Sequence, residues 1–184
     1  MESIQKAQNL PLYWVQPKTM ARYFLLHSGE LEFASLDFQS AFGSLAIADT
    51  AGHTWSFKRM GFFNPRVTVR RPNEETDLAV YQPRWTGTEG TLTLAGGRTF
   101  QWRATNFWAT KFAFLDNSGE ALLWFKEGSE QGHLSNLFKT QAQMEIEDAG
   151  WQLAELDLLV TLGWYLLILY NEDAAGAAAA ASAT

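Results

Sequence analysis

A long apolar segment near the carboxyl end constrains the fold of this chain more than any other feature. From Leu158 to Tyr170, only Thr161 and Gly163 interrupt a run of large apolar residues. The run is rich in leucine, poor in β-branched residues and longer than a usual buried strand, which favours a helix. Apolar side chains would cover every face of that helix, so either protein or lipid must enclose it.

The length of the segment favours protein over lipid as its surroundings. A bilayer crossing takes ~20 apolar residues, and extending the run towards the amino terminus brings in Asp157 and Glu155. No lysine or arginine follows the run, so the basic flank common beside membrane spans is missing. We expect Asp157 to cap the helix or to pair with a strand arginine such as Arg103. A tail anchor formed by residues 153–170 is kept as the alternative.

The domain organisation follows from this helix. We expect one domain over residues 1–172, with a central helix at about 154–170. Asn171 and Gly176 are the predicted stop signals. The alanine-rich residues 173–184 form a low-complexity tail, which is either disordered or a weak extension of the helix.

Short strand-like segments fill the chain before the helix. In Gln141–Glu147, apolar residues alternate with Gln and Glu, a pattern typical of a strand with one buried face. Gly96-Gly97 and the Asp-x-x-Gly sequences at 49–52 and 116–119 predict tight turns between paired strands. The predicted strands cover 12–15, 20–27, 31–38, 42–48, 54–59, 66–71, 78–82, 91–94, 99–108, 111–115, 120–126 and 141–147.

These two patterns together predict the architecture. A sheet that closes around the helix buries its apolar face and leaves no exposed strand edge. We therefore predict a mainly β fold, a closed antiparallel barrel of about twelve strands that encloses the hydrophobic carboxyl-terminal helix. Phe100, Trp102 and Trp108, on one side of strand 99–108, would face inward. A shift of apolar phase predicts a β-bulge near Ala34-Ser35.

Composition excludes several classes of function. The chain has no cysteine, so neither disulfides nor thiolate chemistry can occur. Its net charge of −6 argues against general affinity for nucleic acids. The first residues lack a basic start followed by an apolar core, so we expect no signal peptide and a cytoplasmic protein, either free or peripheral to a membrane.

Basic residues are concentrated in the middle of this acidic chain. Nine basic and four acidic residues lie from Lys58 to Lys111, a net charge of +5, so the remainder carries −11. Such a segment is typical of an anion-facing surface, or of solvated strands whose charges pair with acidic neighbours. Guanidinium groups suit phosphates, which makes one set of side chains the candidate anion contacts: Lys58, Arg59, Arg66, Arg70 and Arg71.

Sequence signatures of catalysis or metal binding are missing. No nucleophile elbow, Walker loop, dinucleotide fingerprint or zinc-ligand spacing occurs. We expect His27, His53 and His133 to be surface or strand residues. The oxygens of Asp-x-Ser-x-Glu at 116–120 could touch calcium, but the run is shorter than a calcium loop, which favours a plain turn. We therefore predict no catalytic residue, metal or cofactor.

Three features occur together in this chain: the 49–52 turn running into 55–70, the hairpin at 115–125, and the apolar helix. In this arrangement the chain resembles the tubby C-terminal-like superfamily, especially its phospholipid scramblase and LURP-one-related branch. It spans about Tyr23 to Tyr170 and implies a twelve-stranded barrel threaded by a helix. In that superfamily, tubby domains bind phosphoinositide head groups through basic residues, and scramblases are associated with lipid movement and calcium. This chain lacks the cysteine-rich and proline-rich segments of the scramblases.

The sequence thus predicts a non-enzymatic, soluble binding module that recognises an anionic ligand such as a lipid head group. An anionic phospholipid or a protein is the expected partner, and neither nucleic-acid binding nor an integral membrane position is expected. Two alternatives stay open, an enzyme whose site assembles from dispersed residues and the tail-anchored protein described above.

Overall fold

Twelve antiparallel strands close into one barrel in the computed structural model, which describes residues 1–19, 21–128 and 141–182. Each strand pairs with the next along the chain, and β1 pairs with β12 to complete the circle. A helical turn, α1 (Asp148–Trp151), leads from the wall to the helix α2 (Leu156–Ser182). The strands are β1 Leu12–Val15, β2 Tyr23–Ser28, β3 Leu31–Phe38, β4 Ala46–Thr50, β5 Thr54–Met60, β6 Arg66–Arg70, β7 Ala79–Pro83, β8 Glu89–Leu94, β9 Thr99–Ala104, β10 Lys111–Leu115, β11 Ala121–Glu127 and β12 Gln141–Ile146.

The predicted fold class, a mainly β closed barrel of twelve strands with a carboxyl-terminal helix, is confirmed. The helix lies inside the wall, and every side chain from Leu158 to Leu169 is buried. Trp164 stacks on Trp14 at 5.5 Å, while Tyr165 stacks on Phe38 at 5.5 Å. In the described part of the chain, no helix is both long enough and apolar enough to cross a bilayer.

Gly163 sets the distance between α2 and one side of the wall. A Cβ atom built on this residue would lie 2.4 Å from the ring of Phe125 and 3.2 Å from that of Phe114. Since real Cβ atoms essentially never approach that closely, the aromatic wall packs directly against helix backbone here. The glycine within the apolar run is therefore a packing requirement of the enclosed helix.

Two expectations about the helix are wrong. It does not stop at Asn171 or Gly176 but continues to Ser182, so the alternative in which the alanine-rich tail extends the helix is the correct one for residues up to 182. Alanine has the highest helix propensity and outweighs one glycine. Asp157 does not pair with Arg103. Its carboxylate lies 3.6 Å from the Nδ1 of His53, in the turn that faces the start of α2.

Three local expectations shift in position. Strand β9 ends at Ala104, so Trp108 lies in a connection and is exposed instead of facing inward. The first Asp-x-x-Gly turn falls one residue later than predicted, because Asp49 still pairs with Thr54. The β-bulge occurs at Phe33, next to the predicted position: Leu26 pairs with Ala34 and His27 with Glu32.

Candidate functional site

Consecutive strands run in opposite directions, so their connections alternate between the two ends of the barrel. We call one end the mouth; its fully described connections are 39–45, 61–65, 84–88 and 105–110. We call the other end the base, and its connections are 29–30, 51–53, 71–78, 95–98 and 116–120. The helix α2 starts at the base, where Glu155 accepts a hydrogen bond from Arg98 at 2.8 Å, and leaves the barrel at the mouth.

Polar contacts fix the helix as it leaves the barrel. Asn171 donates to Glu127 of β11, Glu172 accepts from Arg22, and Asp173 accepts from Arg59 of β5 at 2.6 Å. These three consecutive helix residues contact the wall in different directions. The rest of the described helix, residues 174–182, is exposed and extends roughly 13 Å at the usual rise of 1.5 Å per residue.

Exposed aromatic side chains surround this projecting helix. Six Phe and Trp residues in the mouth connections are each at least 79% exposed. Large aromatic residues are normally buried, so several on one end of a protein indicate an interaction surface. We call the set the aromatic rim: Phe42, Phe62, Phe63, Trp85, Phe107 and Trp108.

The connections that carry the aromatic rim are held in place by specific hydrogen bonds. In 105–110, the Asn106 side chain accepts from the backbone N–H groups of Thr110 and Lys111, at 3.0 Å each. In 61–65, the Gln82 side chain donates to Asn64 Oδ1 and to the Pro65 carbonyl oxygen, at 2.9 Å each. The rings at 62–63 and 107–108 are thus presented by hydrogen-bonded turns.

Four of the six rings meet in two pairs. Phe62 and Phe63 meet edge to face with ring centroids 5.1 Å apart, and Phe107 and Trp108 do so at 5.2 Å. Their exposed fractions show that little of this surface is covered by the rest of the described chain. The aromatic rim therefore offers apolar area to a partner outside the barrel.

Charge is divided unequally between the two ends. The mouth set contains the described residues within two positions of any mouth connection, including the described parts of the two incompletely described ones, and α2 from 171 onward. Its net charge is +3. The base set contains the residues within two positions of any base connection or of the segment between β12 and α2, and the residues before β1. It has four basic and fourteen acidic side chains, a net charge of −10. The eight basic residues at the mouth are Lys18, Arg22, Arg59, Arg66, Arg84, Arg103, Lys111 and Lys126, and the five acidic ones are Asp37, Glu89, Glu127, Glu172 and Asp173.

A cavity opens at the mouth between α2 and the strands β5, β6, β7 and β9. Its volume is about 370 Å³, and its apolar lining includes Val67, Trp102, Leu166 and Leu169. Its remaining lining includes Arg59, Tyr81, Arg84, Trp85 and Asp173. We call it the mouth cavity.

Three of the five predicted anion contacts share the outer wall of the barrel. Strand β5 pairs with β6, placing Lys58 opposite Thr68 and Met60 opposite Arg66. Lys58 and Arg66 are exposed, and neither has an ion pair within the described residues. Arg70 is partly buried and donates from Nε to Asp77 at 2.6 Å.

The other two predicted contacts point elsewhere. Arg59 lies on the inward-facing side of β5, lines the mouth cavity and pairs with Asp173. Arg71 lies in a base connection and is 3.8 Å from Glu74. The five residues therefore do not form one site: Arg59 and Arg66 are at the mouth, Lys58 is on the wall beside them, and Arg70 and Arg71 are near the base.

The residues considered as calcium or metal ligands occupy ordinary turns and strands where the structure describes them. Asp116 Oδ1 accepts from Ser118 N, Ser118 Oγ and Glu120 N at 2.7–2.9 Å, which makes 116–120 a tight turn. The Ser118 hydrogen bond is the main cause that holds the pKa of Asp116 below its usual value. His27 lies in β2 and His53 in a base turn, whereas His133 lies outside the described residues. No group of three or more side chains suited to a metal ion occurs in the described ranges.

Two buried tyrosines near the mouth are held in the protonated form. Burial raises the pKa of Tyr81, which lines the mouth cavity, well above its ordinary value. Burial likewise raises the pKa of Tyr165, whose hydroxyl donates to the Ser44 carbonyl at 2.6 Å. Both hydroxyl groups are therefore protonated at neutral pH, and that of Tyr165 is a hydrogen-bond donor.

The aromatic rim was missed by reasoning from the sequence. A usable signal exists, because each ring stands among turn-forming residues, as in Gly-Phe-Phe-Asn-Pro at 61–65 and Trp-Thr-Gly at 85–87. Comparison of the chain with protein-family models, curated proteins and solved structures gave no match.

Proposed function

We propose that this chain is a non-enzymatic binding module that docks its mouth on the surface of an anionic phospholipid bilayer. The observation that carries the proposal is the aromatic rim, six exposed rings on the end of the barrel where basic side chains outnumber acidic ones. Trp and other aromatic side chains favour the membrane interface, where their rings reach the boundary of the acyl region. The expected resemblance to tubby-like domains is compatible with a lipid head group as ligand.

A bilayer fits the spacing of the rings better than a protein partner does. The rings stand on four separate connections around a projecting helix, whereas hot spots of a protein interface cluster at its centre. A fluid surface can receive separate insertions without matching their outline. Full burial of a large apolar side chain is worth ~1.5–3 kcal/mol, so partial insertion of several rings offsets much of the estimated 4–15 kcal/mol association cost.

The charge division would orient the molecule. A basic side chain close to an anionic membrane surface contributes about 1 kcal/mol, and the acidic base is repelled from the same surface. Arg66 begins β6 and Lys111 begins β10, so both stand beside rim connections. Electrostatic orientation of this kind weakens with salt, because charges screen over ~10 Å at 0.1 M ionic strength.

Catalysis is not part of the proposal. In the mouth cavity, the Tyr81 hydroxyl is protonated at neutral pH, as tyrosines ordinarily are, and burial raises its pKa further, so it is a poor base there. The Asp173 carboxylate in the same cavity accepts a 2.6 Å hydrogen bond from Arg59. These contacts support a binding role for the cavity over a reactive one.

Sedimentation with vesicles tests the proposal. The protein is mixed with phosphatidylcholine vesicles and with vesicles that also contain phosphatidylserine, at low and high salt. We expect strong sedimentation only with phosphatidylserine, reduced by salt. Replacing Phe62 and Phe63 together by Ser should reduce it at least about tenfold, since two buried rings are lost. Leu31→Ser, an exposed apolar residue at the base, is the matched control and should sediment like the wild type.

A charge comparison completes the experiment. Arg66→Glu with Lys111→Glu should abolish the preference for phosphatidylserine, while Arg71→Glu at the base should leave it intact. Equal sedimentation of rim and base variants would contradict the proposed orientation. No sedimentation with either vesicle would exclude the lipid surface and leave a protein as the partner of the rim.

A further inference from the structure

The mouth cavity has the form of a ligand site for a chain-like molecule. It lies between α2 and the strands β5, β6, β7 and β9, and its volume of about 370 Å³ is within the range of small-molecule sites. Val67 and Trp102 are almost fully buried and form its floor with Leu166 and Leu169 of the helix. An apolar chain would therefore be enclosed by protein on several sides.

The lip of the cavity has a different character from its floor. Arg59 and Arg84 line the opening, and the exposed indole of Trp85 stands beside them. Arg59 uses Nη1 for Asp173, while Arg84 Nη1 lies 3.6 Å from Glu89. Each guanidinium has five N–H donors, so donors remain for a further anion. The cavity thus combines an apolar interior with an opening at which two guanidinium groups keep free N–H donors.

A glycine in the wall gives the Tyr81 ring its place beside the cavity. At the mouth end of β8, the inward position is Gly90, and a Cβ there would lie 2.4 Å from the Tyr81 hydroxyl oxygen. The same Cβ would lie 2.6 Å from the Gln82 carbonyl oxygen. A larger residue at position 90 would therefore displace the Tyr81 ring or the β7 backbone.

We propose that the mouth cavity binds one single-chain amphiphile with an anionic head group, such as an ionised fatty acid or a monoacyl phosphate. The chain occupies the space between Val67 and Leu166, and the head group accepts hydrogen bonds from Arg59 and Arg84. The inference rests on the proposed function in one respect: a mouth docked on a bilayer would receive such a molecule directly from the membrane.

Calorimetric titration with dodecanoate, at concentrations below those that form micelles, tests the site. We expect one saturable site per chain. Affinity should rise about fourfold for each added methylene group from hexanoate upward, as each buried CH₂ contributes ~0.8 kcal/mol, and it should level off once the cavity is full. Dodecyltrimethylammonium, with the same chain and a cationic head, should bind at least about tenfold more weakly, because it cannot accept hydrogen bonds from the guanidinium groups.

Two variants with matched controls locate the site. Ala174→Trp places an indole over the cavity from the exposed part of α2 and should weaken dodecanoate binding at least about tenfold, the equivalent of two excluded methylene groups. Ala179→Trp, further along the exposed helix and outside the cavity lining, should bind like the wild type. Arg84→Gln should lower the affinity several-fold, and Arg98→Gln at the base should not change it.

Each contrary result would overturn the inference. Undiminished dodecanoate binding by Ala174→Trp would place the amphiphile elsewhere. An affinity that does not change with chain length would show that the apolar interior does not bind the chain. Equal affinity for the cationic amphiphile would show that the guanidinium groups do not bind the head group. The Phe62→Ser and Phe63→Ser variant separates the two proposals, because it should lose vesicle sedimentation and retain dodecanoate binding.

Discussion

The Arg22 guanidinium donates hydrogen bonds to both carboxylate oxygens of Glu172, at 2.7 and 2.9 Å. Arg22 stands just before β2, and Glu172 lies 150 residues later, where α2 leaves the barrel. The same guanidinium donates to the carbonyl oxygens of Ser40 and Gly43. One side chain therefore connects the residue before β2, the mouth connection 39–45 and the end of the enclosed part of α2.

Replacing Arg22 by Gln should lower the free energy of unfolding by about 2–4 kcal/mol, since a hydrogen bond to a charged group is worth ~1.5–3 kcal/mol and the partly buried hydrogen bond to the Gly43 carbonyl is lost as well. The Arg22 side chain is only 16% exposed. Urea denaturation followed by circular dichroism measures the change. Arg59→Gln, which breaks the more exposed Arg59–Asp173 pair, is the control and should lose less than about 1 kcal/mol. Equal losses would contradict a special role for Arg22.

The two glycines of α2 should respond to alanine in opposite ways. Gly163→Ala forces a Cβ against Phe125 and should destabilise the protein by about 1–3 kcal/mol, despite the better helix propensity of alanine. Gly176→Ala meets nothing within 4 Å and should increase helicity with little effect on barrel stability. Thermal unfolding and far-UV circular dichroism distinguish the two. A neutral Gly163→Ala variant would show that α2 can move away from the wall.

Asp116 should contribute stability that depends on pH. Its pKa is lowered in the folded protein, mainly by the Ser118 hydrogen bond, whereas an unfolded Asp titrates near ~3.9. The stabilisation is therefore present above the unfolded pKa and is lost as pH falls through the folded pKa. The stability difference between wild type and Asp116→Asn, measured by urea denaturation from neutral to acid pH, should shrink over that interval. A difference that is constant with pH would contradict this assignment.

Deleting residues 174–184 should leave the barrel intact. The described part of this segment, up to Ser182, is exposed, and α2 is already fixed by its three preceding residues. We expect a change in unfolding free energy below about 0.5 kcal/mol, as for other exposed changes, together with a smaller helical signal at 222 nm. A loss of several kcal/mol would mean that the projecting helix supports the wall.

Alternation of apolar residues was enough to predict the architecture. The predicted strands 12–15, 31–38 and 111–115 agree with β1, β3 and β10 residue for residue. The need to enclose Leu158–Tyr170 then predicted closure, because a helix that is apolar all round requires a complete wall. Periodicity and solvent exclusion are properties of the local sequence, which is why both predictions succeeded.

The failures arose where a residue's neighbours come from distant parts of the chain. Trp108 continues the alternation of Phe100 and Trp102, yet β9 stops at Ala104 because β10 begins to pair beyond the 105–110 turn. Asp157 faces His53 instead of Arg103, and only the position of the 51–53 turn over the start of α2 decides that. The aromatic rim likewise depends on which connections share an end of the barrel. An error of one strand in the prediction would assign the six rings to both ends.

The position of α2 also determines when the protein can finish folding. The barrel closes where Leu12 of β1 pairs with Met144 of β12, so β1 cannot pair on this side until β12 has been synthesised. The helix that fills the barrel is translated after β12. A ribosome adds ~5–20 residues per second. For several seconds the nascent chain therefore contains eleven or twelve strands but lacks the helix α2 that fills the barrel. Pairing across such a long sequence separation is slow even in the complete chain. We expect synthesis of this protein to depend strongly on chaperones that shield open sheet, and fragments lacking the last thirty residues to aggregate.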